Sequence, residues 1–185
     1  MIASLHCFEP SIPTFELLLQ RFKNTDENII LNNFALGAQE QDATLYYDKQ
    51  GSSLASLRRL DHFNISFEQS QKVHINTLDT YCKMHNIEHI HLLKLDVEGH
   101  ELDVLNGALE LFAKNAIDIV TFEFGGCNID TKTYFQDFWY FFKDKNMSIY
   151  RILPNSKLYK IPEYREFYEQ FVTTNYVATK DNLRL

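Results

Sequence analysis

Short apolar, β-branched runs alternate with segments whose apolar residues recur at helical spacing, and this pattern continues through most of the 185-residue chain. A brief apolar run closed by a turn signal reads as a buried strand, and apolar positions three and four apart read as one face of a helix. Ile2 to Phe8 ends at Glu9-Pro10, where proline drives the preceding residue towards extended geometry. Ser11 and Pro13 then open a helix that carries Phe15, Leu18, Leu19 and Phe22. Ile29 to Leu31 forms a second strand leading into the turn Asn32 to Gly37. Residues 38–72 read as a surface excursion, with an edge strand at Thr44 to Tyr47 and a loop at Gly51-Ser52-Ser53.

Val73 to Ile75 is a short strand, and Thr77 caps a helix bearing Leu78, Tyr81 and Cys82. Ile90 to Val97 is a longer strand, followed by one helix from Glu101 to Lys114 that buries Leu102, Leu105, Leu109 and Phe112. Ala116 to Phe124 is rich in β-branched residues and reads as a strand. The aromatic stripe Tyr134, Phe135, Phe138, Trp139 and Phe142 marks an amphipathic helix that packs into the core. Ser148 to Leu153 and Phe171 to Thr179 are the closing strands. The pattern predicts one α/β domain over residues 1–185, with a mostly parallel sheet and helices on both faces.

Composition narrows the function. Hydrophobic residues at 45% and charged residues at 23% describe an ordinary globular protein. A formal net charge of -7 disfavours nucleic acid, whose binding draws on clustered Lys and Arg. Cys7, Cys82 and Cys127 show no paired spacing, which fits a reducing cytoplasm better than a disulfide framework. The first residues lack a basic and then apolar leader, and no stretch approaches eighteen apolar residues, so the reading is a soluble, unprocessed, cytoplasmic chain without a membrane span. Asn64-Ile65-Ser66 matches a glycosylation acceptor, but carries no weight without a secretory signal.

In parallel α/β sheets ligands bind beyond the carboxyl ends of the strands, and here three such ends carry acids: Glu9, Asp96 with Glu98, and Glu123. Glu9 could accept hydrogen bonds from both hydroxyls of a ribose, or could simply favour a helix N-terminus. The densest cluster is Leu93 to Glu101, where Asp96, Glu98, His100 and Glu101 surround Gly99. At two-residue spacing on an extended chain Asp96, Glu98 and His100 share one side, where they could remove a hydroxyl proton or hold a divalent metal. Alternatively, Glu98 and Glu101 complement a helix start and His100 caps it. His85, His89 and His91 form a second candidate ligand set, but Asn86 interrupts a continuous helix across them, and no metal is assigned from a His-rich stretch alone.

These segments resemble the FkbM-type methyltransferases in order and spacing: Phe8-Glu9-Pro10, Asn33-Phe34-Ala35-Leu36-Gly37, Ser52-Ser53-Leu54 and Thr77-Leu78-Asp79. The most specific are Leu93 to Glu101 and Val104-Leu105-Asn106-Gly107-Ala108; Phe122-Glu123 and Tyr176 to Thr179 complete the series. The resemblance implies S-adenosylmethionine as cofactor, a Rossmann-like sheet, and methyl transfer to a hydroxyl of a small molecule, sugar or lipid. It places Glu9 and Pro10 at the ribose, the Asn33, Ala35 and Leu36 turn near the adenine, and Asp96 between the methionine and the acceptor. Glu98, His100 and Glu123 would line the acceptor side.

The family also carries a strand and a glycine-rich turn ahead of the segment that here begins at Ile2, and the chain reads as N-terminally truncated against that pattern. The further strand belongs between the one ending at Glu9 and the one ending at Asp96. Residues 1–185 alone are therefore expected to bind S-adenosylmethionine weakly or not at all. The alternative is a noncatalytic remnant that acts as an interaction module, with a homo-oligomer as one form of sheet repair.

Overall fold

A computed structural model describes residues 4–24, 28–48, 55–58 and 67–181. The Ser52-Ser53-Leu54 motif and the Asn64-Ile65-Ser66 triplet lie outside these residues. The first strand, β1, spans Leu5–Phe8, and proline at the start of the helix that follows, α1 (Ile12–Phe22), is accommodated because the first-turn N–H groups have no helical partner. β2 (Ile29–Asn32) runs parallel to β1 with Leu5 opposite Ile29, which completes the expected βα unit.

The chain then makes a second, three-stranded sheet from β3 (Ala35–Leu36), β4 (Gln41–Tyr47) and β5 (Gln69–Asn76), with β5 in the middle. Thr77 caps α2 (Leu78–Met84) through its side-chain oxygen, which accepts the Thr80 N–H at 3.1 Å, as its sequence position predicts. β6 spans Ile90–Lys94 and stops earlier than the expected Val97. The expected single helix to Lys114 is two, α3 (Glu101–Asn106) and α4 (Leu109–Ala113), broken at Gly107. The break has a local cause. The Gly107 carbonyl accepts the Asp79 N–H, and the Asp79 carboxylate in turn accepts the Glu110 and Leu111 N–H groups, so α2 supplies the N-terminal cap of α4.

β7 (Ile117–Phe124) leads through α5 (Cys127–Thr131) to α6 (Phe135–Asp144), followed by β8 (Met147–Ile152), β9 (Leu158–Ile161) and β10 (Thr174–Lys180). These strands form a five-stranded sheet of order β6-β7-β10-β8-β9. Phe135, Phe138 and Phe142 of the expected aromatic stripe fill its core, whereas Tyr134 is exposed: Phe138 and Phe142 of α6 stack on Phe122 of β7, at 4.9 Å and 5.3 Å between ring centroids, and Tyr176 of β10 stacks on the same ring at 5.5 Å. Phe122, Phe138 and Phe142 are fully buried.

The α/β class holds, but the mostly parallel sheet does not. Only the β6–β7 pair of the large sheet is parallel; β10 lies antiparallel to β7 and to β8, and β9 antiparallel to β8. A parallel return needs a crossover of a dozen or more residues, usually a helix, and beyond β8 the chain offers only a three-residue helical turn at Glu166–Tyr168. The sheet is also not continuous. Among the described residues β1 and β6 each pair on one side only, and no ladder joins them. With β1 and β2 paired only to each other, none of the residues of α1 is fully buried.

Candidate active site

The carboxyl ends of β1, β6 and β7 carry the acids that the sequence singled out, and those past β1 and β6 are held by local devices. Past β1, Glu9 Oε1 accepts the Ser11 N–H at 2.8 Å, which fixes the carboxylate over the start of α1. Asn33 donates from Nδ2 to the Glu9 carbonyl at 2.9 Å and to the Pro10 carbonyl at 3.3 Å. Gln71 of β5 donates to that same Pro10 carbonyl at 2.7 Å, so β5 and the β2–β3 turn both brace the Glu9-Pro10 corner. Ala35 and Leu36 are buried in β3 and paired to Ile75 and Asn76 of β5. Burial raises the Glu9 carboxyl above the ordinary range, against the opposing pull of the Ser11 N–H.

Past β6 the chain does not stay extended. Glu98 has a φ of 51° and Gly99 a φ of 95°, so two successive residues occupy the left-handed region before α3 begins. Glycine tolerates this conformation, whereas at Glu98 it stores strain of about 1–3 kcal/mol, which the surroundings must hold. A Cβ on Gly99 would also stand 2.9 Å from the Cys127 carbonyl oxygen. Alternation across an extended chain therefore fails for Asp96, Glu98 and His100, and they do not converge. Asp96 is half-exposed and pairs with Lys94 at 2.7 Å. His100 turns to Asp103, with Nδ1 to Oδ2 at 2.7 Å, and its buried Nε2 has no partner.

Glu98 instead meets a residue that the sequence did not flag. The Cys127 thiol donates to Glu98 Oε2 at 3.0 Å. Ser56, buried to 1% exposure, donates its hydroxyl to the Glu98 carbonyl at 3.3 Å and ties the loop to the β4 edge. Burial first, and then the nearby Asp96 and Glu123 carboxylates, raise the Glu98 carboxyl, although the Cys127 thiol opposes them. Burial and the facing Glu98 push the Cys127 thiol strongly up, so it stays protonated as a donor and is no nucleophile. Asp96, Glu98 and Glu123 thus place a concentration of negative charge around one loop. Their ligand atoms form no metal set with His100: among the described residues only His89, His91 and Asp118 bring three such atoms within 4.8 Å of one another.

Glu101 organises this loop from below. Its Oε1 accepts the N–H groups of Val97 and Gly99, both at 3.2 Å, while the buried Oε2 has no partner. Burial raises its carboxyl pKa, partly offset by its own N–H, by those of Gly99 and Val97, and by His100. Between the ordinary carboxyl range and that raised value the folded chain holds a proton that the unfolded chain has released. Stability therefore falls as pH rises through this window. A Glu101→Gln variant keeps the acceptor and removes the titration. Its melting temperature should gain on that of the parent as pH rises through the window, and a pH-independent difference would contradict the assignment.

These acids lie at the carboxyl ends of strands, where ligands bind in α/β sheets, and the comparison with known families bears on the whole chain. The family model of the Methyltransferase FkbM domain matches residues 4–161. The chain belongs to this methyltransferase family. No curated protein and no solved structure matches it. For an FkbM methyltransferase the matched region takes in Glu9, Asn33, the Asp96–Glu101 loop and Glu123, and it ends at β9, ahead of β10. Among the described residues no helix is long and apolar enough to cross a membrane. Cys127 could have been suspected only from its place just after Gly125-Gly126 at the end of β7, because nothing in its spacing announces a partner 29 residues earlier.

Proposed function

We propose that residues 1–185 act as one domain that takes a methyl group from S-adenosylmethionine and passes it to a hydroxyl oxygen of a small-molecule, sugar or lipid acceptor. The observation that carries this reading is the grouping of Glu98 with Asp96 and Glu123 around a strained, braced loop. Bound there, the cofactor would supply an electrophilic methyl on a positively charged sulfur. Three carboxylates favour a cation beside them, and they fit that charge better than they would fit an anionic donor. Glu9, fixed over α1 and braced by Asn33, offers its remaining oxygen to ribose hydroxyls.

Across these strand ends Glu9 would hold the cofactor at its ribose, and Asp96, Glu98 and Glu123 would hold it beside its sulfur, letting the acceptor oxygen take the methyl as the carbon–sulfur bond breaks. The hydroxyl proton passes to Glu98, which burial and the neighbouring Asp96 and Glu123 make a stronger base than an ordinary exposed carboxylate. The Asp96/His100 pairing expected for that task is not the arrangement seen, since each is bonded elsewhere. Proximity does most of the remaining work. The open edges of β1 and β6 support a second reading, in which the chain is an interaction module that receives a strand.

The two separate in one experiment: labelled methyl from S-adenosylmethionine offered with a panel of sugars, lipid headgroups and small hydroxylated metabolites. Label recovered on oxygen is the expected result. Label recovered only on nitrogen or carbon would overturn oxygen transfer, and a blank across the panel would favour the interaction module.

A further inference from the structure

At the opposite end of the large sheet, where β6 and β7 begin, two imidazoles and a carboxylate meet on one face. The register that sets Ile90 opposite Ile117 brings His91 beside Asp118, and His89 lies two residues before His91 on the same side. His89 Nε2 stands 2.8 Å from Asp118 Oδ2, and the His89 and His91 rings meet edge to face at 4.9 Å. One ligand atom from each of the three lies within 4.8 Å of the others. We propose that His89, His91 and Asp118 bind a divalent transition-metal ion of the zinc type, and that the ion clips the edge strand β6 to β7.

The donor set fits this class of ion. Imidazole with one carboxylate suits zinc and its neighbours, whereas calcium and magnesium call for oxygen donors throughout. Zinc binds these atoms at about 2.0–2.2 Å, so two ligands of one ion stand roughly 3 Å apart, close to the His89–Asp118 separation. On binding, the proton held between His89 Nε2 and Asp118 Oδ2 leaves to solvent, and the metal takes its place. Both histidines are exposed, and His91 makes no hydrogen bond to the described residues, so its nitrogen is available.

Lys180 is the apparent objection, because its ammonium lies 2.8 Å from the same carboxylate. It engages Oδ1, however, and leaves Oδ2 to the site. Lys180 is itself anchored by the Asn115 carbonyl, so it fixes the carboxylate plane in the way an outer-shell partner does. His85, grouped with these histidines by sequence, is not part of the set. Its ring packs against Tyr81 at 4.3 Å, tilted by 35°, at the end of α2.

The test is calorimetric titration of the chain with zinc chloride, repeated on His89→Gln and His91→Gln. One zinc per chain is expected, with affinity falling about 10-fold or more in either variant. The melting temperature should rise with zinc in the parent and rise markedly less in both variants at the same zinc concentration. Because both side chains are exposed, the metal-free variants should melt with the parent. Cobalt in place of zinc should give the visible absorption of a four- or five-coordinate ion. Absence of zinc binding, or binding that His91→Gln leaves unchanged, would overturn the proposal.

Discussion

A Gly107→Ala variant is expected to be the most destabilised single-methyl change in the molecule, losing about 3 kcal/mol or more. The reason is a close approach and not an unusual backbone, because Gly107 has an ordinary φ of -80°. A Cβ there would stand 2.1 Å from the carbonyl oxygen of Gly37 and 3.4 Å from Cβ of Thr77. Neither the Gly37 turn nor the α3–α4 corner can retreat freely. The turn is tied to β5 by the Gly37 N–H to the Asn76 carbonyl, and the corner is tied to α2 by the Asp79 N–H. For a chain of this size a loss of that order lowers the melting temperature by roughly 10 °C. Asn106→Ala, one residue earlier and exposed, should change stability by less than about 0.5 kcal/mol. Thermal melts of the two variants side by side check the claim, and near-equal melting temperatures would show that the corner is not packed as described.

The second large effect concerns the transfer itself. Glu98→Gln should fold as the parent does, since an amide can still accept the Cys127 hydrogen bond, yet transfer methyl about 100-fold more slowly. Removing a charge held against Asp96 and Glu123 also relieves repulsion, so stability should hold or rise slightly while activity falls. A base must be deprotonated to act. In the parent the rate should therefore climb as pH rises through the raised Glu98 pKa, and in the variant that limb should vanish. Asp96→Asn, at a half-exposed side chain, should leave the limb in place. An acid limb that survives in Glu98→Gln would move the base elsewhere.

Much of this architecture was legible before any coordinates. Apolar runs and caps located the strands at Ile29, Ile90 and Ile117 and the cap at Thr77, because each rests on a local rule that tertiary packing did not override. The family pattern supplied glycines whose reason the sequence does not state. Gly37 and Gly107 belong to different motifs: a Cβ on Gly107 would meet the Gly37 carbonyl oxygen, and a Cβ on Gly37 would meet Ile75 Cγ2 at 2.8 Å. Strand direction was misread where helical connections cease: the stretch between Ile152 and Thr174 has no crossover helix, which already argued for antiparallel returns.

For the candidate residues, the sequence pointed to positions and not to partners. Asp96, Glu98 and Glu123 lie near one another at strand ends, but the left-handed pair Glu98-Gly99 turns the chain, so His100 goes to Asp103 and Glu98 goes to Cys127. A two-residue spacing predicts a shared face only while the backbone remains extended. The histidines show the converse. Spacing along the chain grouped His85 with His89 and His91, whereas strand register replaced His85 by Asp118, a residue 27 positions beyond His91.

The most direct test of the central claim, that the cofactor lies across the carboxyl ends of β1, β2 and β6, is a backbone amide shift map during titration with S-adenosylmethionine. Such a map reports even weak binding, which is what the contacts supplied by Glu9 and its neighbours lead us to expect. Shifts are expected to concentrate at Glu9 to Ile12, Asn33 to Gly37 and Leu95 to Gly99, and to be lost in Glu9→Gln. Shifts gathered instead at the β6–β7 start around His89 and Asp118, or a spectrum unchanged at saturating cofactor, would contradict the claim.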